Sequence, residues 1–137
     1  MRQIPLELML LLKKVNNLLF ISGQLPISND RKMIKGQIGK DLTLEDGLQA
    51  SKLCVINILA QVKKALNGDL NNIKNCVKIT GFVNSTDDFK DQPKVINPAS
   101  ETLSAVFGDK GKHARVAISA NSLPLGAAVE IDAIFEI

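Results

Sequence analysis

The chain has no tryptophan and no tyrosine, and only five phenylalanines in 137 residues. So few aromatic rings leave little on which unpaired bases could stack, which counts against a surface for single-stranded nucleic acid. Lysine and arginine outnumber aspartate and glutamate by only 17 to 14. The basic residues are scattered, so there is no electrostatic footprint for a polyanion. One histidine (His113) and two cysteines (Cys54 and Cys76) are too few for a Cys/His zinc cluster. Each cysteine lies in an apolar stretch and reads as a buried, reduced thiol. No nucleophile motif surrounds His113 that would make a catalytic triad of it. Long apolar runs are absent too: residues 8–12 are greasy but far too short to span a bilayer. Lys13 and Lys14 follow that run instead of preceding it, and no small-residue cleavage site appears, so it is a poor signal peptide. The expectation is a cytoplasmic protein without a metal and without a membrane partner.

What is present suits one globular domain. Apolar residues make up 45% and charged residues 23% of the chain, enough to bury a core at this length. Residues 1–14 read as a lead-in segment, helical or disordered, and residues 15–137 as the domain. "VNNLLFIS" (15–22) has strand composition, and a Gly/Pro/Asn-rich connection with one short strand follows. Thr43 opens the clearest helix, with Glu45 and Asp46 in the first turn and Gly68 as the stop. Leu44, Leu48, Val55, Leu59, Val62 and Leu66 recur at helical spacing. Residues 73–83 read as a strand, with Val77, Ile79 and Gly81 on one face and Cys76, Lys78, Thr80 and Phe82 on the other. Asn97-Pro98 predicts the start of a second helix and Gly108 its end. Two more strands follow, one around Arg115 and one over 128–137. The order implies an α+β domain with two helices packed on one face of a sheet.

Two charges stand inside the most strand-like stretches. Arg115 sits in "GKHARVAI" (111–118), sharing a face with Ala117 and Ser119. Glu130 sits in "AAVEIDAIFEI" (127–137), sharing a face with Asp132. A hairpin centred between Ser122 and Leu123 would pair Arg115 with Glu130 and Ala117 with Ala128, placing both charges on one face. Periodicity leaves two readings open. One is a cross-strand ion pair on a solvated face. The other is a pocket in which the guanidinium takes a carboxylate bidentately while the glutamate orients or deprotonates a water.

"LLFISGQLPI", "VINPASETL", "ARVAI" and "VEIDAIFE" occur in the order and spacing of the Rid (YjgF) family, and the chain resembles that family from about residue 15 to residue 137. The family has also been called translation initiation inhibitors or L-PSP endoribonucleases. The resemblance implies a chorismate-mutase-like fold, a mixed sheet forming a trimeric barrel with pockets between subunits. It implies hydrolysis, without cofactor or metal, of reactive 2-imino acids such as 2-iminobutanoate and 2-iminopropanoate to 2-oxo acids and ammonia. On the matching positions, Arg115 binds the substrate carboxylate, Glu130 positions the attacking water, Asn97 lines the pocket, and Ser22 and Gly23 form its edge. The implied partners are a small 2-imino or 2-oxo carboxylic acid and two further copies of the chain. Alternatives are a non-catalytic trimer that binds small carboxylates, and the translation-inhibitor or ribonuclease role of the older names. The chain departs from the family pattern at His113, where a proline or small residue is usual, at Ala117 in place of a cysteine, and in lacking a pocket tyrosine.

Overall fold

The computed structural model describes residues 10–137. Most of the expected lead-in, and the start of the apolar run over 8–12, lie outside the described residues. The sheet begins at Leu12, within the lead-in stretch: β1 (Leu12–Val15) pairs antiparallel with β2 (Leu18–Gln24). The two-residue turn between them is Asn16-Asn17, with Asn16 at φ 55°, a conformation that asparagine tolerates better than most residues. The strand expected over 15–22 is therefore cut by a hairpin turn, and its second part is β2. No short strand forms between β2 and the first helix. That connection makes isolated bridges instead, including Ile38 with Ser85 and Lys35 with Ala127.

Helix α1 (Leu44–Ala65) starts as expected at Thr43. The Thr43 hydroxyl accepts from the Asp46 amide, and the Asp46 carboxylate accepts from the Thr43 amide, which satisfies two otherwise orphaned donors. Its buried stripe is Gly47, Ala50, Ser51, Cys54, Val55, Ile58 and Val62. Leu44, Leu59 and Leu66, the residues the spacing singled out with Leu48, Val55 and Val62, flank that stripe half-buried. The small residues face inward because the helix lies close to its neighbours: a Cβ on Gly47 would come within 2.7 Å of Ile38.

Strand β3 (Asn75–Asn84) carries a bulge between Cys76 and Lys78. The bulge breaks the alternation read from the sequence, so Cys76 joins Ile79 and Val83 in the core while Val77 is exposed. Helix α2 spans Gln92–Phe107 and ends at Gly108 as expected, but it starts five residues before the predicted Asn97. Pro93 occupies the first turn, and Pro98 lies inside the helix. Pro98 withholds a hydrogen bond from the Lys94 carbonyl, and Lys94 is exposed, so water can replace it.

Strands β4 (Ala114–Ala120) and β5 (Val129–Glu136) do not form the expected hairpin. The sheet order is β1-β2-β5-β3-β4, with β3 inserted between the two and paired parallel to β4 and antiparallel to β5. Arg115 stands opposite Ile79, and Glu130 opposite Phe82. β4 follows β3 through a helix, so it docks parallel beside β3, and β5 pairs with the other edge of β3. Ile79 and Val83 point into the core beneath the helices, and Phe135 closes that core edge-to-face on Phe107 at 6.1 Å.

No described helix lies on the opposite face of the sheet. Phe20, Val116 and Ile118 on this side are 40%, 42% and 44% exposed. On β4 the usual polarity is inverted: apolar Val116 and Ile118 face the bare side, and Arg115 faces the helix layer.

Candidate functional site

Arg115 is fixed by α2. One of its terminal nitrogens, Nη1, donates to Asn97 Oδ1 at 2.9 Å and to Ser100 Oγ at 3.2 Å. Asn97 and Ser100 are three residues apart in the helix and so present their side chains on one face, towards β4. Ser100 in turn bonds His113 Nε2 at 2.8 Å, and His113 Nδ1 bonds the Gly111 carbonyl at 2.6 Å. Both hydrogens of Arg115 Nη1 are thereby used. Among the described residues nothing accepts from Nε or Nη2, the edge of a guanidinium that takes a carboxylate bidentately.

Glu130 lies on the other face of the sheet. Its neighbours in β5, Val129 and Ile131, are fully buried under the helices, so alternation turns Glu130 to the bare side. There its carboxylate leans over Gly23. A Cβ on Gly23 would meet Glu130 Oε1 at 2.5 Å, so a larger residue there would push the carboxylate aside. The Ser22 hydroxyl donates to the Leu10 carbonyl at 2.6 Å, which ties the bulged end of β2 to the segment before β1. Burial, and then the neighbouring Asp132 carboxylate, raise the pKa of Glu130 above the usual carboxylate value. Asp132 is raised as well, chiefly by burial and partly offset by a hydrogen bond from Thr80. No described residue pairs ionically with Glu130.

The five residues singled out in the sequence thus fall into two groups. Arg115 and Asn97 come together under α2. Glu130 and Gly23 come together on the bare face, with Ser22 beside them. Within one chain the two groups stand on opposite faces of the sheet, so the expected Arg115–Glu130 pair does not exist. Sequence reading missed Ser100, the second acceptor for Arg115, and gave His113 no role beside Arg115. The signal for Ser100 was its three-residue spacing from Asn97. The cysteines are core residues: burial holds the Cys54 thiol far above its ordinary pKa and the Cys76 thiol up at about 12. No described helix is long and apolar enough to cross a membrane.

The fold and these two groups define a small α+β domain whose open sheet face and sheet edge each carry one polar group. The chain matches the profile of the family described as YjgF/chorismate mutase-like, putative endoribonuclease, over residues 11–136, and it belongs to that family. Protein TCP17 of Trypanosoma cruzi is 42% identical over 120 residues, covering 87% of this chain and 74% of that protein. The crystal structure of an Agrobacterium tumefaciens protein of unknown function aligns with a TM-score of 0.92 at 46% identity, covering 94% of this chain and 83% of that one. A Shewanella oneidensis structure with an endoribonuclease description aligns at 0.89 and 30% identity, covering 94% and 85%.

Proposed function

We propose that the protein hydrolyses small 2-imino acids to 2-oxo acids and ammonia, at a site assembled between copies of the chain. The observation that carries this reading is the state of Arg115. Two α2 side chains hold Nη1, and the Nε/Nη2 edge has no partner among the described residues. A planar carboxylate is the group whose shape and charge match that edge.

A 2-imino acid places an electrophilic C=N carbon next to its carboxylate. Anchoring the carboxylate at Arg115 fixes where that carbon lies, which converts most of the problem into placing one water. Glu130 suits that task. Its raised pKa makes it a stronger base than an ordinary carboxylate. The glutamate takes a proton from water as the oxygen adds to the imine carbon and passes that proton to the imine nitrogen. It then moves the adduct's hydroxyl proton to the amino nitrogen as the C–N bond breaks, which expels ammonia, leaves the 2-oxo acid and returns the carboxylate to its starting state.

Members of this family are typically homotrimers, and the bare sheet face, with Phe20, Val116 and Ile118 two-fifths exposed, supports self-association. Packing that face against the β4 edge of a neighbouring copy would bring Glu130 of one subunit towards Arg115 of the next. A coupled assay with a pyridoxal-phosphate-dependent dehydratase generating 2-iminobutanoate tests the reading. The protein accelerates loss of the imine, and Arg115→Ala abolishes the acceleration. Wild-type protein that leaves the rate unchanged would defeat it.

A further inference from the structure

We propose that His113, acting through Ser100, is a positioning residue for Arg115 that sets the affinity of the carboxylate site; this rests on the reading of Arg115 as the carboxylate anchor. The chain of hydrogen bonds begins at a rigid point. Gly111 lies so close to α2 that a Cβ on it would come within 2.2 Å of the Leu103 carbonyl, which holds the backbone there against the helix. The Gly111 carbonyl can only accept, so His113 Nδ1, 2.6 Å away, carries the proton. In the neutral ring this leaves Nε2 as an acceptor, and its partner at 2.8 Å is the Ser100 hydroxyl. Ser100 therefore donates to His113 and turns its lone pairs towards Arg115 Nη1, which donates to it at 3.2 Å.

Without His113 the Ser100 hydroxyl is released to bond back to the carbonyl of Ile96, four residues earlier, as helical serines do. Its oxygen then no longer holds Nη1, and the guanidinium keeps only Asn97. Each bond in the series also polarises the next, so the serine oxygen is a better acceptor for the arginine while it donates to the imidazole. Neither Ser100 nor His113 touches substrate in this scheme. Their effect is on the orientation of the guanidinium edge, and so on binding and not on the chemical step.

The test is calorimetric titration with 2-oxobutanoate, the stable product, alongside KM and kcat for 2-iminobutanoate. Loss of one neutral hydrogen bond corresponds to about a threefold to tenfold change. His113→Ala raises Kd and KM by about that factor and leaves kcat within about twofold. His113→Gln, whose side-chain oxygen can stand near the Nε2 position, recovers most of the loss, while His113→Asn does not. His113→Ala adds nothing in a Ser100→Ala background, because both act through one bond. A folded His113→Ala protein with wild-type Kd and KM overturns the proposal, as does a glutamine variant as weak as the alanine one. Wild-type protein that binds no 2-oxobutanoate overturns it together with the reading of Arg115 on which it rests.

Discussion

Arg115→Lys keeps the charge and removes the fork. A guanidinium has five N–H donors; in Arg115 two of them go to Asn97 and Ser100, which leaves the side-on edge for a carboxylate. A lysine ammonium ends in a single nitrogen. It can stay with Asn97 and Ser100 or move to the carboxylate, but it cannot present two parallel donors to the carboxylate while remaining anchored. The substitution therefore removes one charge-assisted hydrogen bond and the fixed orientation. At about 1.5–3 kcal/mol for such a bond, Kd for 2-oxobutanoate should rise roughly tenfold to 150-fold. Arg115→Ala removes the charge as well and should weaken binding further. Isothermal titration on both variants, with circular dichroism to confirm that they fold, measures this directly. An Arg115→Lys protein that binds within about twofold of wild type would refute bidentate recognition and reduce Arg115 to a point charge.

Two further outcomes follow from packing and charge. Gly81 of β3 touches α2: an added Cβ would meet Ile96 at 2.5 and 2.6 Å, and Ile96 is fully buried. Gly81→Ala should cost about 1–3 kcal/mol by overpacking, lower Tm by several degrees in a thermal melt, and weaken 2-oxobutanoate binding because Ile96 adjoins Asn97; an unchanged Tm would contradict the close approach. Glu130 has a raised pKa in the folded chain, so the folded state holds its proton more tightly than the unfolded state. Its contribution to stability accordingly falls as pH rises from the ordinary carboxylate range through the raised value, and stays lowered above it. Glu130→Gln should flatten that part of a Tm–pH profile and melt higher than wild type at neutral pH; a lower melting point at neutral pH would refute the assignment.

Local signals in the sequence located α1 well. The Thr43/Asp46 box and the first-turn acids specify its start without help from the rest of the fold. For α2 the proline in Asn97-Pro98 gave a false start. Pro93 offered the same local signal, and burial of Val95 against α1 and of Ile96 against the sheet, which no local rule contains, carries the helix through Pro98. The misplaced hairpin has a similar cause. Neighbours in sequence are often neighbours in a sheet, but β3–α2–β4 makes a parallel crossover, and β5 inserts between β2 and β3 instead of pairing with β4. Misreading the partner of β4 also misread the site. Arg115 and Glu130 were legible as unusual charges in apolar strands, while their placement on opposite faces depends on strand order. Ser100 was hidden for the same reason, since its relation to Arg115 exists only after α2 docks on β4.

Subunit complementation tests the central claim that the site joins Arg115 of one copy to Glu130 of another. Arg115→Ala and Glu130→Gln are each prepared alone and then assembled together by co-expression, and 2-iminobutanoate loss is measured. In a cyclic trimer of randomly mixed subunits, roughly a quarter of the interfaces combine an intact arginine with an intact glutamate. The mixture should therefore recover about a quarter of wild-type activity from two inactive parents. Mixed oligomers as inactive as the parents, with wild-type protein active, would contradict a site shared between subunits.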